Sequence, residues 1–345
     1  MIELIQDQLV FSFPQVWPDA RLTVSFQRTL RIPDDGRTYP LPPGLGRFPL
    51  RHVDDHHDRL PASWVEHGGV MTPMYQSEAL WLSFQSDYLG DRGTSYPFAV
   101  KIAAGKIDAV TGQDYAPGLG SRPQDYLVVP TQPWLDGYAV EKGLIRQFVA
   151  MPLGAGYTAE EQLTGRAEHG GLQIHVYPMK RQVFERRFPK REASAARFAM
   201  DEGELGMAPC AAPAPGMGLA PGGRMKQEIY EDPYGLSDWD QTDSSRCFVH
   251  LANSLVWRGI TGENPPTVPF TAQEYTRHGF PWFDYYDDQA KALDGSKILK
   301  GLKSVVELAK EKGDAPLPEN QPVDPKNVVK LRANLGKDQV REGKF

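Results

Sequence analysis

A strict alternation between Arg21 and Ile32 restricts this chain more than any other feature. Leu22, Val24, Phe26, Arg28, Leu30 and Ile32 stand at even numbers, and Arg21, Thr23, Ser25, Gln27, Thr29 and Arg31 at odd ones. Five of the six even positions are apolar and every odd one is polar. A period of two turns one row of side chains to a core and the other to water, as an extended strand does. Asp34-Asp35-Gly36 follows with turn chemistry.

The pattern recurs. Leu80, Leu82 and Phe84 alternate, as do Phe98, Val100 and Ile102. Ala103-Ala104-Gly105 before Lys106–Val110 predicts a hairpin whose last loop residue, Gly105, takes positive φ. Tyr126–Val129, Leu144–Met151 and Leu172–Tyr177 read as strands, and Met225–Tyr230 and Arg246–Trp257 extend the series. The 30 prolines and 33 glycines break helices and cap short strands. The expectation is a mainly β (β-rich α+β) fold, with an antiparallel, sandwich-like core and a few short helices.

Three helices are predicted. Thr158-Ala-Glu-Glu161 and Thr271-Ala-Gln-Glu274 are capping boxes, the second helix closing at Gly279 and Pro281. Ser296–Lys312 reads as one amphipathic helix, with Ile298, Leu302, Val305, Val306 and Ala309 on a single stripe. Residues 1–290 are expected to form one β-rich domain. Residues 179–224 make an excursion from it, first basic and then rich in Ala, Pro, Gly and Met; 201–224 read as a linker or surface loop. The helix of 291–313 docks on this body, and 314–345 form a polar extended arm.

The formal net charge of −6 argues against a protein dedicated to nucleic acid. No apolar run approaches the roughly 18 residues of a membrane helix. The first residues show no basic stretch followed by an apolar one, and two cysteines, Cys210 and Cys247, cannot build a disulfide framework. A cytoplasmic setting is therefore expected. Cys247 shares a strand face with Val249 and Leu251 and reads as a small core residue. His175 and His250 fall on the polar strand faces and read as surface residues.

Candidate sites follow from local chemistry. His52-Val-Asp-Asp-His-His-Asp58 gathers imidazoles and carboxylates, so His52, His56 and Asp58 are the first choices for a divalent metal, and a metal-dependent hydrolase is one alternative function. The reading the sequence favours for that segment is a solvated loop between strands. Phe280–Tyr286 holds five aromatics in seven residues. Trp282, Tyr285 and Tyr286 suit a carbohydrate or peptide surface, or a plug closing the end of a β core, which the sequence favours. Lys180–Arg191 is basic with interleaved Phe184 and Phe188, making Arg186 and Arg187 candidate partner contacts. Gly154-Ala-Gly156, Gly118-Leu-Gly120 and Gly44-Leu-Gly46 lack the rest of a phosphate loop and read as turns. No Gly-x-Ser-x-Gly, His-Glu-x-x-His, Cys-x-x-Cys or Walker pattern occurs. The leading expectation is a non-catalytic binding or assembly protein, homo-oligomeric and making its contacts through extended arms, with no cofactor beyond the candidate metal.

Overall fold

In the computed structural model, residues 1–190, 216–287, 290–314 and 320–332 are described. The chain is mostly antiparallel β-sheet with few helices. The principal strands, in chain order, are β1 (Ile2–Ile5), β2 (Gln8–Ser12), β3 (Arg21–Thr29), β4 (Val70–Met74), β5 (Ala79–Ser86), β6 (Phe98–Ala104), β7 (Ile107–Asp108), β8 (Leu127–Val129), β9 (Leu144–Pro152), β10 (Leu172–Pro178), β11 (Gly216–Lys226), β12 (Ser245–Asn253), β13 (Trp282–Tyr286) and β14 (Val328–Arg332). The helices are α1 (Ala62–His67), α2 (Ala159–Thr164), α3 (Arg181–Arg187), α4 (Ser254–Thr261), α5 (Ala272–Arg277), α6 (Lys297–Lys300) and α7 (Val305–Lys312).

One ladder runs β1–β2–β3–β5–β9–β11–β12–β10–β6–β8, antiparallel at every step. Strand β4 adds to β12 in parallel. The apolar row of β3 is buried as its alternation requires, with Leu22, Val24 and Phe26 fully covered, but of the polar row only Arg21 is exposed, and Ser25 and Thr29 are buried too. Leu22, Val24 and Phe26 share one apolar cluster with Phe11 and Phe13 near one end of the ladder and with Phe98, Val100, Ile174 and Val176 near the other. The rings of Phe13 and Phe98 lie 5.8 Å apart, so the ends of the ladder fold over a common core. Arg28, the polar exception in the apolar row, is buried too. Its Nε and Nη2 donate to Glu78 Oε1 at 2.8 and 2.7 Å, which pairs the charge instead of stranding it.

Four local readings change. The β6–β7 hairpin turns on two residues, Gly105 and Lys106, both with positive φ, one residue later than the sequence suggested. The Met225–Tyr230 strand ends at Lys226, and Arg246–Trp257 is strand only to Asn253, after which α4 begins. The Asn253 side chain caps α4 by accepting from Leu255 N. The Ser296–Lys312 helix is two helices, because Ser304 and Glu307 form a capping box that starts α7 afresh.

The largest revision concerns 201–224. Residues 201–215 lie outside the described residues, but from Gly216 onward the segment is β11, paired along the length of β9. Its small residues are there for closeness. A Cβ on Gly223 would sit 2.6 Å from the Pro33 carbonyl oxygen and 2.8 Å from that of Ile32. The predicted capping boxes at Thr158 and Thr271 both form.

Candidate functional site

The Phe280–Tyr286 segment enters the structure as β13. Trp282 is fully buried, with its ring 6.3 Å from those of Tyr39 and Tyr275, in a second apolar cluster with Leu30, Ile32, Ile145 and Met225. Tyr285 sets its ring edge-on to Trp134 at 4.4 Å. Trp282 therefore closes a core and presents no stacking face to a sugar; the side chain of Tyr286 lies outside the described residues.

On one side β13 exchanges bonds with Leu41: Leu41 N donates to Phe283 O at 2.8 Å and Phe283 N to Leu41 O at 2.9 Å. On the other it pairs in parallel with β14, from Trp282 opposite Val328 to Tyr286 opposite Arg332. Strand β14 lies within the predicted polar arm, and its Val328-Val329-Lys330-Leu331 run is the signal that the arm's overall polarity masked. Trp282 N donates to Asn327 O at 2.8 Å. The peptide groups of Asn327, Val329 and Leu331 thus face β13, and those of Val328 and Lys330 face outward.

No strand pairs with that outer edge among the described residues. Two apolar side chains of β14 itself are exposed, Leu331 at 40% and Val328 at 39%, and Phe280, just before β13, is 51% exposed. Phe280 also lines a groove of about 500 Å³ with Arg277, Pro322, Val323 and Lys326 among others. Lys326 and Lys330 are exposed, without an ion pair among the described residues. An open sheet edge flanked by apolar side chains and unpaired cations is a surface that accepts an added strand.

A second chemically dense region is the loop between β7 and β8. It covers the outer face of β6 and β10, which is why Lys101 and His175 are buried. Lys101 Nζ donates to Asp125 Oδ2 at 2.6 Å, Ala116 O at 2.8 Å and Gly118 O at 3.1 Å. Tyr115 and Tyr177 hydroxyls both lie 2.7 Å from His175 Nδ1, and Ser244 Oγ lies 3.0 Å from Nε2. Gly118 N donates to Tyr177 Oη at 3.1 Å. With the ring proton on Nε2 His175 donates to Ser244 Oγ, and with it on Nδ1 it accepts from that hydroxyl. Burial, with Arg246 and Lys101 nearby, pushes His175 down to about 4. These bonds pin the loop against β6 and β10. Clefts of about 640 and 410 Å³ border this loop, the larger also lined by Glu231, Asp232, Asp294 and Lys297. Asp232 is already committed there, accepting from Tyr126 Oη, Trp239 Nε1, Tyr234 N and Gly235 N.

His250 is buried as well, contrary to the surface reading. It stacks on Trp64 at 4.6 Å and Phe248 at 4.3 Å, bonds Gly68 O at 3.1 Å, and is pushed down to about 4 by burial. Cys247 sits in the core as expected, with burial raising its thiol to about 12.

The remaining predicted residues are dispersed. Asp54–Arg59 form a 3-10 turn on the surface, in which His57 Nδ1 meets Asp54 O and Asp58 pairs with Arg59. His52, His56 and Asp58 do not converge, and no three His, Cys, Asp or Glu side chains gather as metal ligands would among the described residues. The basic run folds as α3 with Phe184 in the core; Arg187 binds Asp238 at 2.6 Å, while Arg186 stays on the exposed face. Gly154 N and Gly156 N, the candidate anion donors, are taken by Glu161 Oε1.

Comparison with family profiles, with curated proteins and with solved structures gives no match to this chain.

Proposed function

We propose that this chain is a non-catalytic binding or assembly protein that self-associates through its C-terminal strand. The observation that carries the reading is the edge of β14 with which no strand pairs among the described residues, with Val328 and Leu331 of that strand exposed. Solvated β edges are aggregation hazards unless covered, and a specific partner covers them by main-chain bonding. In this reading the protein works in the cytoplasm, in keeping with Cys247 as a free thiol sealed in the core. The net charge of −6 and the pairing of Arg187 with Asp238 speak for a protein partner over nucleic acid.

Light scattering on the full chain at micromolar concentration tests this. The expected result is a dimer or larger, shifted toward monomer by Val328→Asp with Leu331→Asp; both side chains are about two-fifths exposed, so the fold survives the change. A monomer across that range defeats the proposal.

A further inference from the structure

Given the self-association proposed above, on which this rests, we infer that the strand added to β14 is β1 of a second copy. The two run parallel, with Ile2 opposite Val329, Glu3 opposite Lys330 and Leu4 opposite Leu331. Strand β1 stands at one end of the ladder, and β2 is its one strand partner among the described residues. Ser12 N donates to Met1 O at 2.9 Å, and Glu3 and Ile5 stand opposite Val10 and Gln8. Hydrogen-bonded pairs in an antiparallel ladder recur at every second residue. The peptide groups of Met1, Glu3 and Ile5 therefore face β2, and those of Ile2 and Leu4 face outward. The half-buried side chains of Ile2 and Leu4 pack on the main core, while Glu3 and Ile5 are exposed. Glu3 has no ion pair among the described residues. Each copy thus offers an edge carrying an acid and an edge carrying Lys326 and Lys330.

Peptide orientation selects the direction. Opposed residues of an antiparallel pair turn their peptide groups both toward each other or both away. Glu3, which faces β2, would then stand opposite Asn327, Val329 or Leu331, which face β13, and would meet no cation. In a parallel pair one residue of each opposed couple faces the partner strand and the other faces away. Glu3 then stands opposite Lys326, Val328, Lys330 or Arg332. Opposite Lys326 or Arg332, at least half of β1 would overhang an end of β14, and Val328 offers no charge. Lys330 leaves all of β1 seated and lays Leu4 beside the exposed Leu331. Pairing β14 with its own copy about a two-fold axis fits less well. Centred on Val328 or on Lys330 it sets lysine against lysine, and centred on Val329 it leaves Lys330 opposite Val328. Since β1 and β14 are different surfaces, the contact between copies is heterologous.

Sedimentation of the full chain tests this with Glu3→Lys and Lys330→Glu, each alone and the two mixed. Both side chains are exposed, so both variants keep the fold, and their melting temperatures in dilute solution check it. Each variant alone is expected to self-associate about fivefold more weakly than the native chain, because an opposite-charge pair becomes a like-charge pair. An equimolar mixture is expected to associate as the native chain does, because every β1 then finds a β14 of opposite charge. If the native chain associates but either reversal leaves it unchanged, or the mixture stays weak, this pairing is overturned while self-association stands. A native chain monomeric throughout removes both.

Discussion

Four buried ionisable residues set how the fold should respond to pH, and they pull in opposite directions. His175 and His250 stand near 4 when folded against an ordinary 6.5. Between those values the unfolded chain holds protons that the folded one refuses, so their contribution is present above about 6.5 and lost as pH falls toward 4. Asp108 and Asp136, raised to about 7 by burial, behave inversely: their contribution is present below about 3.8 and lost as pH rises through 7. Each shift corresponds to something on the order of 3 kcal/mol. Urea midpoints measured from pH 8 to pH 4 should fall less steeply toward acid for His250→Gln than for the native chain. Asp108→Asn should gain stability at pH 8 relative to pH 4. Parallel profiles for all three proteins would show that these groups do not titrate as their burial requires. None of this was legible in the sequence, because alternation gave each strand residue a face but could not show that the loop after β7 covers His175 or that Trp64 of α1 covers His250.

At the scale of the element, two substitutions separate packing from surface roles. Trp282 fills the second apolar cluster, so Trp282→Ala should lower stability by about 3–5 kcal/mol. A melting temperature unchanged by that substitution would return Trp282 to the surface. Gly223 lies in β11 against the carbonyls of Ile32 and Pro33, and the Cβ of Gly223→Ala cannot relax into a backbone as it could into a flexible side chain. That variant should lose at least about 1–3 kcal/mol, read from its denaturation midpoint. A neutral result would mean that β11 is not seated as described. Capping boxes were readable because their partners are three residues apart, and Ser304-Val-Val-Glu307 carried the same signature inside the amphipathic stripe. There the stripe, continuous across the break, concealed a helix end.

For the whole molecule, association would link stability to concentration. If β14 pairs with a second copy, the melting temperature should rise by several degrees as the protein is concentrated a hundredfold, since only the folded chain binds its partner. Val328→Asp with Leu331→Asp should abolish that dependence while leaving the dilute melting temperature in place. A concentration-independent native chain would contradict the assembly reading.

The sequence alone determined that this chain is β-rich, where its best strand lies, where two helices begin, and that Cys247 is a core residue. All of these depend on residues a few places apart, whose spacing fixes which side chains share a face. Only the tertiary structure decided that Gly216–Lys226 is an inner strand, that His175 and His250 are buried, that the His52–Asp58 cluster stays dispersed, and that Val328–Arg332 pairs with Trp282–Tyr286. Those outcomes depend on what distant segments place against a given face, and no local period records it.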